Sequence, residues 1–259
     1  MMDFSKEARI AELAVRASGK VLMKYFEQKN IKIHSKGSYD FATEADLAAE
    51  KIMLEIIKKK FPSHNIISEE TGNAKIKSDY NWFIDPLDGT HNFAFGMPIW
   101  GPMLALRHRG EIVISAASIP ILKEVCTAQK NEGAYLNGKK MRVSDRSDIR
   151  KSAVYFSGDL HLKSPVGKRF IRNALGSLYR ELRIIGCIAA GGIFVASGRL
   201  DAVVADHNKP WDILPIALLV EEAGGKVTGL NGKGYIYHSR EYIFSNGLIH
   251  DKILGMLKD

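Results

Sequence analysis

Trp82-Phe83-Ile84-Asp85-Pro86-Leu87-Asp88-Gly89-Thr90-His91-Asn92-Phe93 carries the densest chemistry in the chain. Apolar residues lead into Asp85, so a short buried strand is predicted to end at that carboxylate, with Pro86 stiffening the exit. A tight turn is then expected to bring Asp88 back towards Asp85, and Gly89 opens a run of backbone N–H groups. Two carboxylates facing one point suit a hard divalent cation such as Mg²⁺, which takes oxygen ligands at short distance and keeps places for water and phosphate. The amides and hydroxyl at Gly89 and Thr90, at the expected start of a helical turn, suit an anion, because unpaired N–H groups point outward there. Taken alone, the same residues also read as two ordinary surface turns, Asp-Pro and Asp-Gly.

Other acids argue against surface turns. Ser68-Glu69-Glu70-Thr71 follows a short apolar strand, and Trp211-Asp212 starts an apolar helix, so carboxylates recur at the ends of separate buried elements. Each still has a plain alternative: Asp212 as an N-cap, Glu69 and Glu70 as solvated loop acids. In Thr43-Glu44-Ala45-Asp46, Thr43 is placed as a helix cap with Asp46 in the capping-box position. A carboxylate there can also orient a hydroxyl or a water.

Outward from these motifs, Phe4, Ala8, Ala11, Val15, Leu22 and Phe26 form the apolar stripe of an amphipathic helix over residues 4 to 26. A second helix is expected from Thr43 to Lys60, with Leu47, Leu54 and Ile57 on one face and Phe61-Pro62 ending it. His34 to Asp40 reads as a polar loop between them. Strands are predicted at Asn65 to Ser68, Asn81 to Ile84, Ile99 to Leu106 and Glu111 to Ile119, the last two flanking Arg107-His108-Arg109-Gly110. Asn137-Gly138 within Ala134 to Val143 is a two-residue hairpin signal. The second half alternates: strand Ala153 to Phe156, helix Val166 to Tyr179, strand Arg183 to Ile185, helix Ile188 to Ser197, strand Leu200 to Ala205 and helix Trp211 to Ala223. Gly191-Gly192 reads as close helix packing, and His91 as a local hydrogen-bonding residue. With no linker, residues 1–259 are expected to form a single domain, an α+β part to about residue 145 and a dependent α/β part from about 146.

The chain has 259 residues, 46% of them hydrophobic, with 37 Lys plus Arg against 29 Asp plus Glu, a formal charge of +8. That excludes disorder, collagen and coiled coil. The basic excess raises the idea of a nucleic-acid partner, but the lysines are spread along the chain. The one tight run, Lys58-Lys59-Lys60, closes a helix, where cations favour the dipole. No nucleic-acid polymer and no membrane partner are expected. Cys126 and Cys187 lack metal-ligand spacing and read as buried thiols; without an apolar leader or span, the expected compartment is the cytoplasm.

Four motifs in order resemble the inositol monophosphatase family of Mg²⁺-dependent, lithium-sensitive phosphomonoesterases. They are Asp40-Phe41-Ala42-Thr43-Glu44-Ala45-Asp46; Phe61-Pro62-Ser63-His64 leading to Ser68-Glu69-Glu70; Asp85 to Phe93; and Trp211-Asp212 followed by Glu222-Ala223-Gly224-Gly225. The resemblance implies a layered α-β-α-β-α sandwich with mixed and antiparallel sheets, usually as a homodimer. It implies two to three Mg²⁺ ions: Glu69, Asp85 and the Leu87 carbonyl at the first, Asp85, Asp88 and Asp212 at the second, and Glu69 reaching a third. It further implies hydrolysis of a small anionic phosphate ester by metal-activated water, with Asp46, Glu69 and Thr90 catalytic. Gly89, Thr90, Asp88 and Asp212 would line the substrate.

Departures bear on substrate. Seven residues before Asp212 many relatives carry a Glu that binds substrate hydroxyls; here Ala205 stands, followed by Asp206-His207-Asn208-Lys209. Losing that acceptor weakens inositol recognition. Cys187 and Ile188 offer the alcohol moiety few hydrogen bonds, and Lys209 or Arg183 are candidates for a second anionic group. Ile213-Leu214-Pro215 replaces small residues, with Pro215 expected in the first helical turn. The expected substrate is an inositol-1-phosphate or fructose-1,6-bisphosphate type of ester. Histidinol phosphate and 3′-phosphoadenosine 5′-phosphate are alternatives, and a non-catalytic phosphate-binding regulator is the alternative of a different class.

Overall fold

Two helices open the chain, each burying one stripe. The computed structural model describes residues 3–28, 33–35, 41–158, 165–177, 181–206, 209–234 and 240–257. Helix α1 (Ser5–Phe26) buries Ala11, Ala14, Val15, Ser18 and Leu22. After β1 (Ile33–Ser35) and β2 (Phe41–Thr43), α2 (Glu44–Lys60) buries Ala45, Ala49, Met53 and Ile57. That fourfold spacing sets its inner face, so Leu47, two residues off it, is 46% exposed rather than inward. His34 and Ser35, read as loop, belong to β1, which pairs antiparallel with β2; residues 36–40 lie outside the described residues.

The next eight strands form one sheet: β3 (Asn65–Ser68), β4 (Gly72–Asn73), β5 (Tyr80–Asp88), β6 (Gly101–His108), β7 (Glu111–Ile119), β8 (Glu124–Gln129), β9 (Gly133–Leu136) and β10 (Lys139–Lys140), with the short helix α3 (Thr90–Ala94) between β5 and β6. Their spatial order is β10-β9-β8-β7-β6-β5-β3-β4. Only β3 and β5 run parallel; the other pairs are antiparallel. β6 runs on to His108, which pairs with Glu111, so the hairpin turn shrinks to Arg109-Gly110. Both turn residues have positive φ, 47° and 94°, as do Asn137 and Gly138 at 48° and 78°. Positive φ at both central positions matches the twist of the flanking strands.

The second sheet holds β11 (Val154–Ser157), β12 (Leu182–Arg183), β13 (Ala202–Ala205), β14 (Lys226–Gly229) and β15 (Tyr242–Ser245), in the order β12-β11-β13-β15-β14. Helices α4 (Pro165–Ser177), α5 (Ile188–Ala196), α6 (Pro210–Glu222) and α7 (His250–Met256) complete the architecture. β14, β15 and α7 were not legible as elements. Tyr242–Ser245 is buried at every position, so it shows no alternation.

Period-two alternation sorts the faces. Trp82, Ile84, Leu104 and Leu106 pack on α1 and α2, whereas Phe83, Met103 and Ala105 share an apolar cluster with α5 and α6. In the second sheet Tyr155, Val203 and Phe244 join that central cluster, while Val154, Phe156, Val204 and Ile243 face α4 and α7. The result is the five-layer α-β-α-β-α arrangement with mixed and antiparallel sheets. The middle helices approach closely because α5 presents a glycine to α6: a Cβ on Gly192 would lie 2.5 Å from Ile216 Cβ. Among the described residues no helix is long and apolar enough to cross a membrane.

Candidate active site

β5 does not stop at Asp85. It runs through Pro86 to Asp88, and the register against β6 slips: Asp85 faces Met103 and Asp88 faces Gly101. Three residues on β5 therefore span two on β6, a bulge in place of the expected tight turn. Without it, residues three apart would point to opposite faces; the extra residue returns Asp88 to the face of Asp85. Pro86 is tolerated because a bulge already interrupts the ladder.

Each neighbouring element adds one acid. β3 ends at Ser68, and the next residue, Glu69, donates its N–H to Ile84 O at 3.1 Å. Asp212 comes from α6, whose N-cap is Lys209 rather than Asp212; an Asp212 oxygen takes the Lys209 N–H at 2.7 Å. Helix α6 begins at Pro210, one residue earlier than expected, so Pro215 falls in the second turn. Ser115 Oγ donates to its carbonyl.

The acids feel one another. Asp85 is 2% exposed, and burial lifts its carboxyl well above the ordinary range, with Glu69, Asp88 and Asp212 adding to the effect and the Leu87 N–H opposing it. Asp212 is raised in the same way by burial, with Glu69 and Asp88 contributing. Asp88 is raised to about 6, chiefly by burial, although it accepts the Ala189 N–H at 2.6 Å from the start of α5. The four predicted carboxylates thus lie near enough to act on one another.

Among the described residues, no three His, Cys, Asp or Glu side chains already form a metal cage. Separate N–H groups hold Asp85, Asp88 and Asp212 (from Leu87, Ala189 and Lys209). What the site offers is a donor set: mutually repelling hard oxygens, buried at Asp85 and half-buried at Glu69, Asp88 and Asp212, plus the Leu87 carbonyl, which accepts from Thr90 Oγ1 at 2.9 Å. That chemistry fits a hard divalent cation, whose charge would compensate the repulsion. A sign follows for stability. Because folding raises Asp88 from 3.8 to about 6, the folded state binds the proton more tightly, and the metal-free protein is expected to lose stability as pH rises through that window. Excess Mg²⁺ should remove the loss. Thermal unfolding in chelator and in Mg²⁺ between pH 4 and about 7 tests this; a flat metal-free profile would contradict the repulsion.

Asp46 is 1% exposed and has two partners. Its Oδ2 takes the Thr43 N–H at 2.7 Å and the Thr43 hydroxyl, completing the expected capping box, and its Oδ1 lies 3.2 Å from Thr90 Oγ1. Burial raises its carboxyl, against the opposing Thr43 bonds. Thr90 has one proton and two acceptors, Asp46 and Leu87 O. Before it, Gly89 adopts φ +83°, and a Cβ there would lie 3.1 Å from Ile99 O and 3.2 Å from Cys187 Cβ. Glycine is needed for both reasons.

Two contributors escaped the sequence. The Ala189 amide is backbone and leaves no side-chain signature. Asn92 is buried, and its Nδ2 donates to Ile99 O and Ile185 O, both at 2.8 Å, tying α3 to the approach to α5. His91 is exposed beside Phe95. Ala205 is buried at the end of β13, and His207 and Asn208 lie outside the described residues. Cys126 and Cys187 are free and buried, as expected.

Comparison with known proteins places the chain in a family. The model of the inositol monophosphatase family matches residues 3–259. A Thermotoga maritima protein named fructose-1,6-bisphosphatase/inositol-1-monophosphatase is 34% identical over 251 residues, covering 95% of this chain and 93% of the relative. The extragenic suppressor protein suhB of Bartonella henselae superposes with a TM-score of 0.93 at 29% identity, over 97% of this chain and 98% of its own. The IMPase of Thermotoga maritima gives 0.89 at 32% identity, over 97% and 96%. On the full-length match, the shared five-layer fold and the relatives' identity, the chain belongs to the inositol monophosphatase family, whose members are phosphoric monoester hydrolases.

Proposed function

We propose that this chain is a Mg²⁺-dependent phosphomonoesterase acting on a small polyol or sugar phosphate, of the inositol-1-phosphate or fructose-1,6-bisphosphate type. One observation carries the reading: Glu69, Asp88 and Asp212 all repel the buried Asp85 carboxylate, and the hydroxyl of Thr90, two residues after Asp88, is within hydrogen-bond reach of Asp46. The Thermotoga relative's name supports the substrate class. Glu69, Asp85 and the Leu87 carbonyl would hold one cation, Asp85, Asp88 and Asp212 a second, and Glu69 would help with a third. Bound there, Mg²⁺ would supply positive charge that polarises the phosphoryl group and lowers the pKa of water.

The chain's own residues do the rest. Thr90 and Asp46 orient a water in line with the phosphorus, and Asp46, its proton affinity raised by burial, takes the proton that the Thr90 hydroxyl relays. Glu69 assists from β3. The Gly89 and Thr90 amides face the phosphoryl oxygens. Ala205 offers no acceptor to a sugar hydroxyl, which favours acceptance of several esters over inositol alone. A homodimer is part of the proposal, and Phe95, Met97 and Ile184 are among the exposed apolar side chains that an interface could cover.

The test is phosphate release from inositol-1-phosphate, fructose-1,6-bisphosphate, histidinol phosphate and 3′-phosphoadenosine 5′-phosphate, with Mg²⁺, with chelator and with Li⁺. Release from the polyol and sugar esters that needs Mg²⁺ is expected, and inhibition by Li⁺. Release from none of the four would leave the non-catalytic phosphate-binding reading.

A further inference from the structure

Tyr155 sits in the second sheet, on the face of β11 turned towards α5, fully buried within the central apolar cluster. A phenylalanine would fill the same space. Its hydroxyl instead accepts the Cys187 N–H at 3.0 Å and has the Ser157 side chain, two residues along the same strand, as a second hydrogen-bond partner. Cys187 is the N-cap of α5, and its own side chain caps nothing. The start of α5 is in turn what touches the site: the Ala189 N–H reaches Asp88 Oδ2 at 2.6 Å, and Cys187 packs on Gly89.

We propose that Tyr155 is a positioning residue of the active site: its hydroxyl fixes the first turn of α5, which holds Asp88 and the Gly89 backbone in place. The inference rests on the phosphatase reading above. Its second support is the fit of the ring to the helix. A Cβ on Gly191 would lie 2.4 Å from the Tyr155 ring, so the glycine lets the ring lie against the helix backbone, within reach of the N-cap amide. With the Asn92 bond to Ile185 O, three hydrogen bonds then hold this segment, one from the second sheet through Tyr155 and two from the side of the first sheet and its acids through Asn92 and Asp88. Outer partners of ligating groups commonly alter metal affinity by about 10–100-fold when removed.

The experiment compares wild type, Tyr155→Phe and Val203→Ala. Val203 shares the Tyr155 face of the sheet and also packs at Gly191, so its truncation matches the packing disturbance without touching the hydrogen bond. Mn²⁺ binding is titrated by electron paramagnetic resonance, which reads free ion independently of turnover. Tyr155→Phe is expected to weaken Mn²⁺ binding about tenfold and to lower kcat about tenfold with KM within about twofold. Val203→Ala should unfold earlier yet bind as wild type does. Wild-type Mn²⁺ affinity in Tyr155→Phe, or an equal loss in Val203→Ala, overturns the proposal. Wild type that neither binds Mn²⁺ nor releases phosphate sinks the phosphatase reading instead. Amide hydrogen exchange of the wild type tests the anchor without a variant: Cys187 should be protected like the core of α5, and exchange at the rate of an exposed loop would overturn it even if Tyr155→Phe fails to fold.

Discussion

Replacing Asp88 by Asn is expected to lower kcat/KM by at least about a thousandfold while leaving a folded protein that is more stable than wild type without metal. A thousandfold loss corresponds to about 4 kcal/mol of transition-state stabilisation. The amide keeps an oxygen to accept the Ala189 N–H, so the link to α5 survives. What disappears is a charge. Asp88 adds to the repulsion that lifts Asp85 and Asp212, and its removal relieves both. Loss of activity with a raised metal-free Tm, and a reduced gain in Tm from Mg²⁺, would together separate a cation-holding role from a structural one. Full activity in the variant, with the Mg²⁺ response unchanged, would refute the role given to Asp88.

Asp46→Asn should cost about 10²–10⁴ in kcat, the usual range for a group that moves a proton in the transition state. Unlike Asp88→Asn it should also destabilise. Both Asp46 oxygens accept, one from Thr43 and one towards Thr90, and the amide nitrogen of Asn can serve only one side by donating. Loss of a cap of this kind costs about 0.5–2 kcal/mol. Thr90 separates the two functions. Thr90→Val removes the hydroxyl and leaves the Thr43 cap intact, so activity should fall as in Asp46→Asn with little change in Tm. Thr90→Ser, which keeps the hydroxyl, should recover most of the activity. If Thr90→Val hydrolyses the ester at the wild-type rate, the relay from Thr90 to Asp46 is not on the reaction path.

How far the site was legible differs from residue to residue. Asp46 was readable because a capping box leaves a local signature three residues long, and the structure keeps it. Asp85 and Asp88 were readable as a pair, but the device was not. A bulge depends on how many residues the neighbouring strand offers opposite, and β6 is remote information when β5 is read alone. Asp212 was identified, yet its place in the third helical position appeared only once Lys209 was seen as the cap. Leu47 misled because Ala45, Ala49, Met53 and Ile57 form the packed stripe of α2, and alanine, which starts it, is a weak signal in a hydrophobic pattern.

By itself the sequence determined which residues are acidic and where short apolar runs deliver them. It also set the Asn137-Gly138 hairpin turn and the Thr43 cap of α2, since each of these is governed by neighbours within about four positions. Only the tertiary structure decided that four carboxylates from three separate elements lie near enough to repel one another. It also decided that α5, reached through Tyr155 in the other sheet, presses an amide onto one of them. The physical reason is range. Capping, turns and alternation act along the chain, whereas desolvation and like-charge repulsion act through space and exist only once the layers have closed.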